Sequence, residues 1–265
     1  MTTSSPLTVL VAGATGSVGR LVVAESIAHG HTTRALVRDA AKARRVLPAE
    51  AELVVADVTD PGSLKAAVTD ADAVVLTLGS DGGAHSSPEN VDYGGVRNIL
   101  SALADRAPRI VLMTAIGITS RSTGYGHLLD WKRRSERLVR ASGLPYTIVR
   151  PGWFDMNGPD EHRPLFLQGD TRRTGTPADG VIARQQIAQV LVQALTAPQA
   201  VGRTFELVAE NGEALEDLDA LFAALTPDAP GALDGTGDEE NMPLDREPAH
   251  VRADLDALRD RTGTP

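Results

Sequence analysis

Short runs of valine, isoleucine, leucine and alanine alternate along the chain with longer amphipathic stretches. A short run that is apolar at consecutive positions is typical of a parallel strand buried on both faces, and the amphipathic stretches are typical of helices that connect such strands. The alternation therefore predicts an α/β protein, with a doubly wound parallel sheet of the Rossmann type and helices on both faces.

The individual elements follow from the same pattern. Strands are predicted near Leu7–Ala12, Thr32–Val37, Glu52–Ala56, Ala73–Leu78, Arg109–Thr114, Tyr146–Arg150 and Thr204–Val208. Helices are predicted near Val18–His29, Ala40–Leu47, Pro61–Thr69, Pro88–Ala107, Gly126–Ser142 and Arg184–Thr196.

The alternation ends at about Ala209, which divides the chain into two predicted parts. Residues 1–209 form the dinucleotide-binding Rossmann domain, and residues 210–265 form a small helical appendage packed on it. Within the appendage, Asn211–Leu225 and Glu247–Arg261 look helical, whereas Thr226–Asn241 is rich in Pro, Gly and Asp and is typical of a loop or flexible connection. We expect the appendage to complete a substrate pocket or an oligomer contact, such as that of a homodimer.

Composition removes several classes of function. The net charge of −9 argues against nucleic-acid binding, which needs a basic surface. The chain has no cysteine, and its six histidines do not show the spacing of metal ligands, so no metal site is expected. It also lacks a signal-peptide pattern and any run of ~20 apolar residues, so a cytoplasmic protein without membrane contact is expected.

The most informative motif is a glycine-rich loop between the first predicted strand and the first predicted helix. Its glycines stand at three-residue intervals, where Gly13 permits a tight turn, Gly16 admits a pyrophosphate and Gly19 lets the helix pack closely. The alternative is a turn that only bends strand into helix, but the position of the motif favours a dinucleotide site at the helix N-terminus. The residues predicted to hold the pyrophosphate are Gly13, Thr15, Gly16, Ser17, Val18 and Gly19.

The end of the second strand bears on the choice between NADP and NAD. An acidic residue there binds the ribose diol of NAD, whereas a basic residue accepts the 2′-phosphate of NADP. Arg38 comes first and its guanidinium suits a phosphate, while Asp39 stands where it would cap the next helix. We therefore predict NADP (NADPH) as the cofactor; the alternative makes Asp39 the ribose ligand.

Together these segments resemble the atypical short-chain dehydrogenase/reductase superfamily, in its NmrA-like, NAD(P)H-binding branch. The resemblance covers roughly residues 7–209. It rests on five motifs, which read GATGSVG, RALVRD, ADVTD, DYGGVRN and SGLPYTIVRPG.

The resemblance implies roles for residues along the cofactor. Asp57 and Val58 would flank the adenine, and Leu78 and Gly79 would lie along the dinucleotide. Lys132 matches the lysine that binds the nicotinamide ribose. From the sequence alone, Lys132 is also readable as a solvated charge on a basic helix.

Further matches concern the substrate side. Thr114 stands where family enzymes carry a Ser or Thr that hydrogen-bonds the substrate carbonyl; otherwise its hydroxyl satisfies nearby backbone. Pro151 and the residues after it would pass the nicotinamide ring, with Trp153 and Phe154 near the substrate or, alternatively, in ordinary packing.

The chain departs from the family at the catalytic acid. The usual tyrosine, one helical turn before the lysine, is replaced by Leu128, which has no proton to give. Tyr125, two turns before Lys132 on the same face, is a substitute, and His127 lies on another face.

These observations favour an NADPH-dependent reductase that transfers hydride to a small carbonyl, quinone or flavin-like acceptor. The alternative is an NADP(H)-binding redox sensor without catalysis, as the resemblance to NmrA-like proteins also allows. A sugar-nucleotide epimerase is a weaker reading, since those enzymes keep the tyrosine.

Overall fold

A computed structural model of the protein describes residues 5–80, 86–121 and 126–262. Within these residues one sheet contains β1 (Thr8–Ala12), β2 (Thr32–Val37), β3 (Glu52–Val55), β4 (Ala73–Leu76), β5 (Arg109–Met113), β6 (Tyr146–Pro151), β7 (Trp153–Phe154), β8 (Arg163–Leu167), β9 (Val181–Ile182) and β10 (Arg203–Glu210). The helices are α1 (Gly19–Ala28), α2 (Ala40–Ala43), α3 (Pro61–Ala67), α4 (Gly94–Leu103), α5 (Gly126–Ala141), α6 (Arg184–Thr196), α7 (Asp219–Ala224) and α8 (Ala249–Thr262).

The strand order is β3-β2-β1-β4-β5-β6-β10, followed by β9 and β7, with β8 paired to β10. The strands from β3 to β10 in this order are parallel, and β8 and β9 add to β10 in antiparallel fashion. The chain reverses its direction of winding between β1 and β4, which is the switch point where Rossmann sheets bind ligands. The predicted doubly wound Rossmann fold is confirmed.

Both faces of the sheet are buried, as the apolar runs predicted. In β1, Val9 and Val11 pack under one layer of helices, whereas Leu10 and Ala12 pack under the other. All four side chains are completely buried. This arrangement fixes the carboxyl end of β1, from which the glycine-rich loop departs.

Three of the predicted helices differ clearly from the observed ones, and two of these lie within the Rossmann part of the chain. The stretch predicted as one helix from Pro88 to Ala107 begins with a π-helical turn, Glu89–Tyr93, before α4. The π-turn widens the backbone spiral, and such turns are often found at functional sites. The helix predicted over Ala40–Leu47 is only α2, which Asp39 caps by accepting the backbone N–H groups of Ala41 and Lys42.

The predicted helix Asn211–Leu225 is wrong for its first half. Gly212 has a φ of +134°, and its N–H donates to the Asp160 carbonyl, so the chain cannot turn helical there. The helix α7 starts only where the Asp217 carboxylate accepts the Asp219 N–H at 2.8 Å.

The segment Thr226–Asn241 is an irregular loop, as predicted, but its hydrogen bonds tie it to the rest of the protein, unlike a flexible connection. Its carboxylates accept hydrogen bonds from buried arginines of α5 and β6. Asp234 bonds Arg137 at 2.7 Å, Asp228 bonds Arg140 at 3.2 Å and Asp238 bonds Arg150 at 2.7 Å. A buried arginine needs such partners, because an uncompensated charge is costly to desolvate.

The helix α8 joins the same core. Val251, Leu255 and Leu258 belong to the apolar cluster beneath α5, and the Tyr93 hydroxyl donates to Asp254 at 2.7 Å. Of the helices in the described ranges, none combines the length and the hydropathy that a membrane crossing requires.

Candidate active site

A groove of about 480 Å³ runs along the carboxyl edge of the sheet, across the ends of β1 and β4. It brings together most of the residues that the sequence singled out for the cofactor. Those lining it are Gly13, Thr15, Gly16, Ser17, Val18, Arg38, Asp57, Val58, Leu78, Gly79, Thr114, Lys132 and Phe154.

The glycine-rich loop has the close backbone approach that a phosphate cradle needs. Gly13 has a φ of +82°, and a Cβ placed on it would lie 2.5 Å from the Thr77 carbonyl oxygen. Gly19 lies outside the groove lining, and a Cβ on it would lie 2.1 Å from the Gly13 carbonyl oxygen. Any side chain at either position would therefore push α1 away from the sheet.

The N-terminus of α1 opens on the groove. Its N-cap residue, Val18, makes no side-chain hydrogen bond to the first turn, and Thr15, Gly16 and Ser17 are exposed. An uncapped helix start with small residues in front of it attracts an anion. The loop therefore fits the pyrophosphate of a dinucleotide.

At one end of the groove, Arg38 and Asp39 have different tasks. The Arg38 side chain is exposed and lines the groove, whereas Asp39 caps α2 at distances of 2.8 and 3.0 Å. Nearby, the Asp57 carboxylate accepts hydrogen bonds from the Thr59 hydroxyl and N–H, which fix the turn that presents Val58.

Lys132 is not a solvated charge. Its Nζ lies 2.5 Å from Asp92 Oδ1, and the Asp92 carboxylate is almost completely buried. Asp92 also accepts the Ser80 N–H at 3.0 Å, just after Leu78 and Gly79. The π-turn thus places one carboxylate where it fixes both the lysine and the loop beside it.

A second, mostly apolar pocket of about 390 Å³ adjoins the groove. The two cavities share Ala115, Lys132 and Phe154, so the groove opens directly into the pocket. Apolar residues of its lining are Ala115, Ile116, Leu128, Leu129, Pro151, Trp153, Phe154 and Met156. Pro151 and Trp153 therefore lie in the pocket rather than in the groove.

The pocket also has one buried acidic residue, Asp179. Burial would raise the pKa of its carboxyl, but the N–H groups of Thr174 and Gly175, at 2.7 and 2.8 Å, lower it. Asp179 is therefore a carboxylate at neutral pH and not a proton donor.

Leu128 lines this pocket beside Lys132, so a hydrocarbon side chain stands on the helix face that meets the acceptor space. His127 is exposed and its ring lies 6.3 Å from that of Trp131, outside the pocket lining. Tyr125, the proposed substitute acid, falls outside the described residues.

Thr114 lies at the junction of sheet and groove, but its proton has a partner within the protein. The hydroxyl donates to Glu136 Oε1 at 2.7 Å, rather than to backbone. The side of the Thr114 hydroxyl that can face the groove is therefore a lone pair, which accepts a hydrogen bond. This differs from the expected role, in which the hydroxyl donates to a substrate carbonyl.

Glu136 is completely buried and belongs to the arginine cluster behind the site. Burial would raise its pKa, but Arg150, at 2.7 Å, and Arg140, at 3.2 Å, lower it. Next to it, burial raises the pKa of Glu206 to about 7, with Arg150 opposing and Asp170 adding to the shift.

Sequence reasoning missed three functional candidates, namely Asp92, Glu136 and Arg184. Asp92 belongs to the recognised DYGGVRN motif, so the motif itself was the available signal. Glu136 looked like one more charge on a basic helix. Arg184 lines the apolar pocket, and its Nε donates to Ser17 Oγ at 3.1 Å, a contact over 167 positions that no local pattern reveals.

The fold and the site define a Rossmann-type NAD(P)H-binding protein. A family model described as NAD(P)H-binding matches residues 13–198 of the chain. The chain belongs to this oxidoreductase family, which confirms the resemblance to the atypical short-chain dehydrogenase/reductase superfamily.

Two relatives are similar to the chain in sequence, and one solved structure shares its fold. An uncharacterized chloroplastic protein of Arabidopsis thaliana is 32% identical, over 84% of this chain and 77% of its own. Sanguinarine reductase of Eschscholzia californica is 29% identical, over 84% of this chain and 97% of its own. A short-chain dehydrogenase/reductase from Veillonella parvula, solved in complex with NADP, has a TM-score of 0.58 at 16% identity, over 80% of this chain and 98% of its own.

Proposed function

We propose that the protein is an NADPH-dependent reductase of a small carbonyl, quinone or flavin-like acceptor. The observation that carries the proposal is the junction of the two cavities: a polar groove suited to a dinucleotide opens into an apolar pocket at Lys132 and Phe154. Such a junction places a reactive ring of one ligand against an apolar acceptor. The reductase name of the Eschscholzia relative supports this reading.

The preference for NADP rests on Arg38. Its guanidinium is exposed at the groove, so it is available to a 2′-phosphate as a planar fork of donors. Asp39 is occupied by its cap on α2, which leaves it a poor ribose ligand. The Veillonella relative, solved with NADP, supports the same choice.

When bound, NADPH supplies a hydride from its nicotinamide ring. The protein's own residues bind and orient the two ligands and exclude water from between them. The glycine-rich loop and Arg38 hold the phosphates, Lys132 is held by Asp92 for a ribose, and Trp153 and Phe154 keep the acceptor pocket apolar.

The lining that the structure describes offers no neutral acid in the usual tyrosine position, because Leu128 occupies it. The Thr114 proton is donated to Glu136, and Asp179 is ionised. Protonation of the product therefore comes from water, from Tyr125 or from the acceptor itself. Quinones and flavins suit such a site, since their reduced forms take up protons readily from water.

The test is a steady-state measurement of NADPH oxidation with aldehydes, quinones and free flavin, beside calorimetric titration of NADPH and NADH. We expect oxidation above the enzyme-free control with at least one acceptor, and its loss in Lys132→Met. If NADPH binds but no acceptor is reduced, the catalytic proposal fails. If neither nucleotide binds, the cofactor site fails with it.

A second candidate, a non-catalytic NADP(H) sensor, is favoured by one observation: Leu128 lines the pocket in the position where the family carries its proton-donating tyrosine. A sensor must distinguish the two redox states of its ligand. It would bind NADPH and NADP with clearly different affinities and turn over neither. Equal affinities combined with no turnover would exclude it.

A further inference from the structure

Arg184, the first residue of α6, lies where the two cavities meet. It lines the apolar pocket, while its Nε donates to Ser17 Oγ at 3.1 Å in the glycine-rich loop. Its guanidinium carbon also lies 4.9 Å from the centre of the Phe154 ring, which lines both cavities. One cation thus touches the phosphate loop and the acceptor pocket together.

In the described structure this cation is paired with Asp155. The Arg184 guanidinium forms an ion pair with Asp155 Oδ2, and the Arg184 N–H donates to Asp155 Oδ1 at 2.8 Å. The two side chains are 33% and 49% exposed. Because water screens an exposed pair, this one contributes little stability and exchanges readily for a stronger anion.

We propose that Arg184 binds the pyrophosphate of the dinucleotide and gives up its side-chain pair with Asp155 to do so. The inference rests on the proposed cofactor site. Ser17, which Arg184 already contacts, belongs to the loop that faces a pyrophosphate in this fold. A phosphate is a stronger partner for the guanidinium fork than a half-exposed carboxylate.

The other cations of the two linings are engaged elsewhere. Arg38 follows β2, where we propose that it binds the 2′-phosphate, and Lys132 is held by the buried carboxylate of Asp92. Arg184 is the remaining cation among the described residues that line either cavity. The glycine-rich loop has no lysine or arginine between Gly13 and Gly19 to serve the same purpose.

Asp155 supplies a variant whose effect has the opposite sign. Its φ is +56°, a conformation that asparagine tolerates well, and an asparagine oxygen still accepts the Arg184 N–H. Asp155→Asn therefore removes the competing charge but keeps the backbone conformation and the hydrogen bond to the Arg184 N–H. If Arg184 exchanges Asp155 for phosphate, this variant binds NADPH more tightly than the wild type.

The experiment is calorimetric titration of the full chain with NADPH and with adenosine 2′-monophosphate, which has no pyrophosphate. We expect Arg184→Leu to weaken NADPH binding by about tenfold or more and to leave the affinity for adenosine 2′-monophosphate unchanged. Asp155→Asn should tighten NADPH binding by about threefold. The control is Arg163→Leu. Arg163 is 60% exposed and pairs with Glu210 where β8 lies beside β10, so its replacement should leave the affinity for both ligands unchanged.

Equal NADPH affinity in Arg184→Leu and wild type would overturn the inference, as would weaker binding in Asp155→Asn. Weaker binding of adenosine 2′-monophosphate by Arg184→Leu would also overturn the inference, because the substitution would then affect more than the pyrophosphate site. Wild-type protein that binds no NADPH would instead refute the proposed function on which the inference rests.

Discussion

Lys132 and Asp92 form a 2.5 Å ion pair in which the carboxylate is almost completely buried and the ammonium is about one-tenth exposed. The pair joins α5 to the π-turn before α4, and Asp92 extends it to the Ser80 N–H. The lysine that we propose binds the nicotinamide ribose is thus held in place by the protein itself. The pair therefore has a structural role whether or not a ligand is bound.

The pair predicts a non-additive stability effect. Lys132→Met leaves a buried carboxylate without its cation, so we expect a loss of about 3 kcal/mol in the free energy of unfolding. The double variant with Asp92→Asn should recover much of this loss, since neither charge then remains. Urea unfolding of both single variants and the double variant measures the coupling, and additive losses would contradict it.

Arg38→Ala should weaken NADPH binding by about tenfold to a hundredfold and leave NADH binding unchanged, because only NADPH carries the 2′-phosphate. Calorimetry with both nucleotides measures the change. The matched control is Asp39→Asn, which keeps the α2 cap and should alter neither affinity. A loss of NADH binding in Asp39→Asn would instead place Asp39 on the ribose.

Thr114→Val should destabilise the fold by about 1–3 kcal/mol, because buried Glu136 then loses a hydrogen-bond donor. Thr114→Ser keeps the hydroxyl and should stay close to the wild type. Thermal and urea unfolding at neutral pH compare the three proteins. If valine and serine behaved alike, the hydroxyl bond would have no energetic importance.

The Glu206 carboxyl predicts a pH dependence of stability. Burial raises its pKa from 4.5 to about 7 in the folded state, so between these values the folded protein binds the extra proton. Its contribution to stability is therefore fully present below about pH 4.5 and is lost as the pH rises through 7, a loss of about 3 kcal/mol.

Glu206→Gln isolates this effect, because the amide stands in for the protonated carboxyl. The difference in unfolding free energy, variant minus wild type, should grow as the pH rises from 4.5 to 7. Urea titrations across this range measure it. A difference that stays constant would mean that Glu206 ionises normally in the folded protein.

The sequence predicted the central strands well, and most residues that it singled out for a cofactor line one groove, because both depend on local patterns. The apolar runs of β1, β4 and β5 are buried on both faces, whereas the edge strand β3 leaves Val55 exposed, and the glycine-rich loop carries its own geometry in Gly13 and Gly19. The short strands β7 and β9 were missed because two residues show no periodicity. Pairing with a distant strand alone defines them.

Electrostatic partners were the other part that could not be predicted. On α5, Arg133, Arg137 and Arg140 recur at helical spacing, which is typical of a solvated face. The structure buries all three. Two of their carboxylate partners, Asp228 and Asp234, lie in a segment whose composition suggested flexibility. The arginines and these carboxylates are far apart in the sequence, so the cluster could not be recognised from either part alone.

The same cluster bears on how the chain is completed during synthesis. Arg140 precedes Asp228 by 88 residues, and Arg137 precedes Glu247 by 110. A chain that leaves the ribosome from its N-terminus exposes these arginines long before their partners exist. The Rossmann sheet therefore cannot pack against α5 at that stage without burying arginines whose carboxylate partners have not yet been synthesised. Folding is completed by the segment that carries these partners, which is not a late addition to a domain that has already folded.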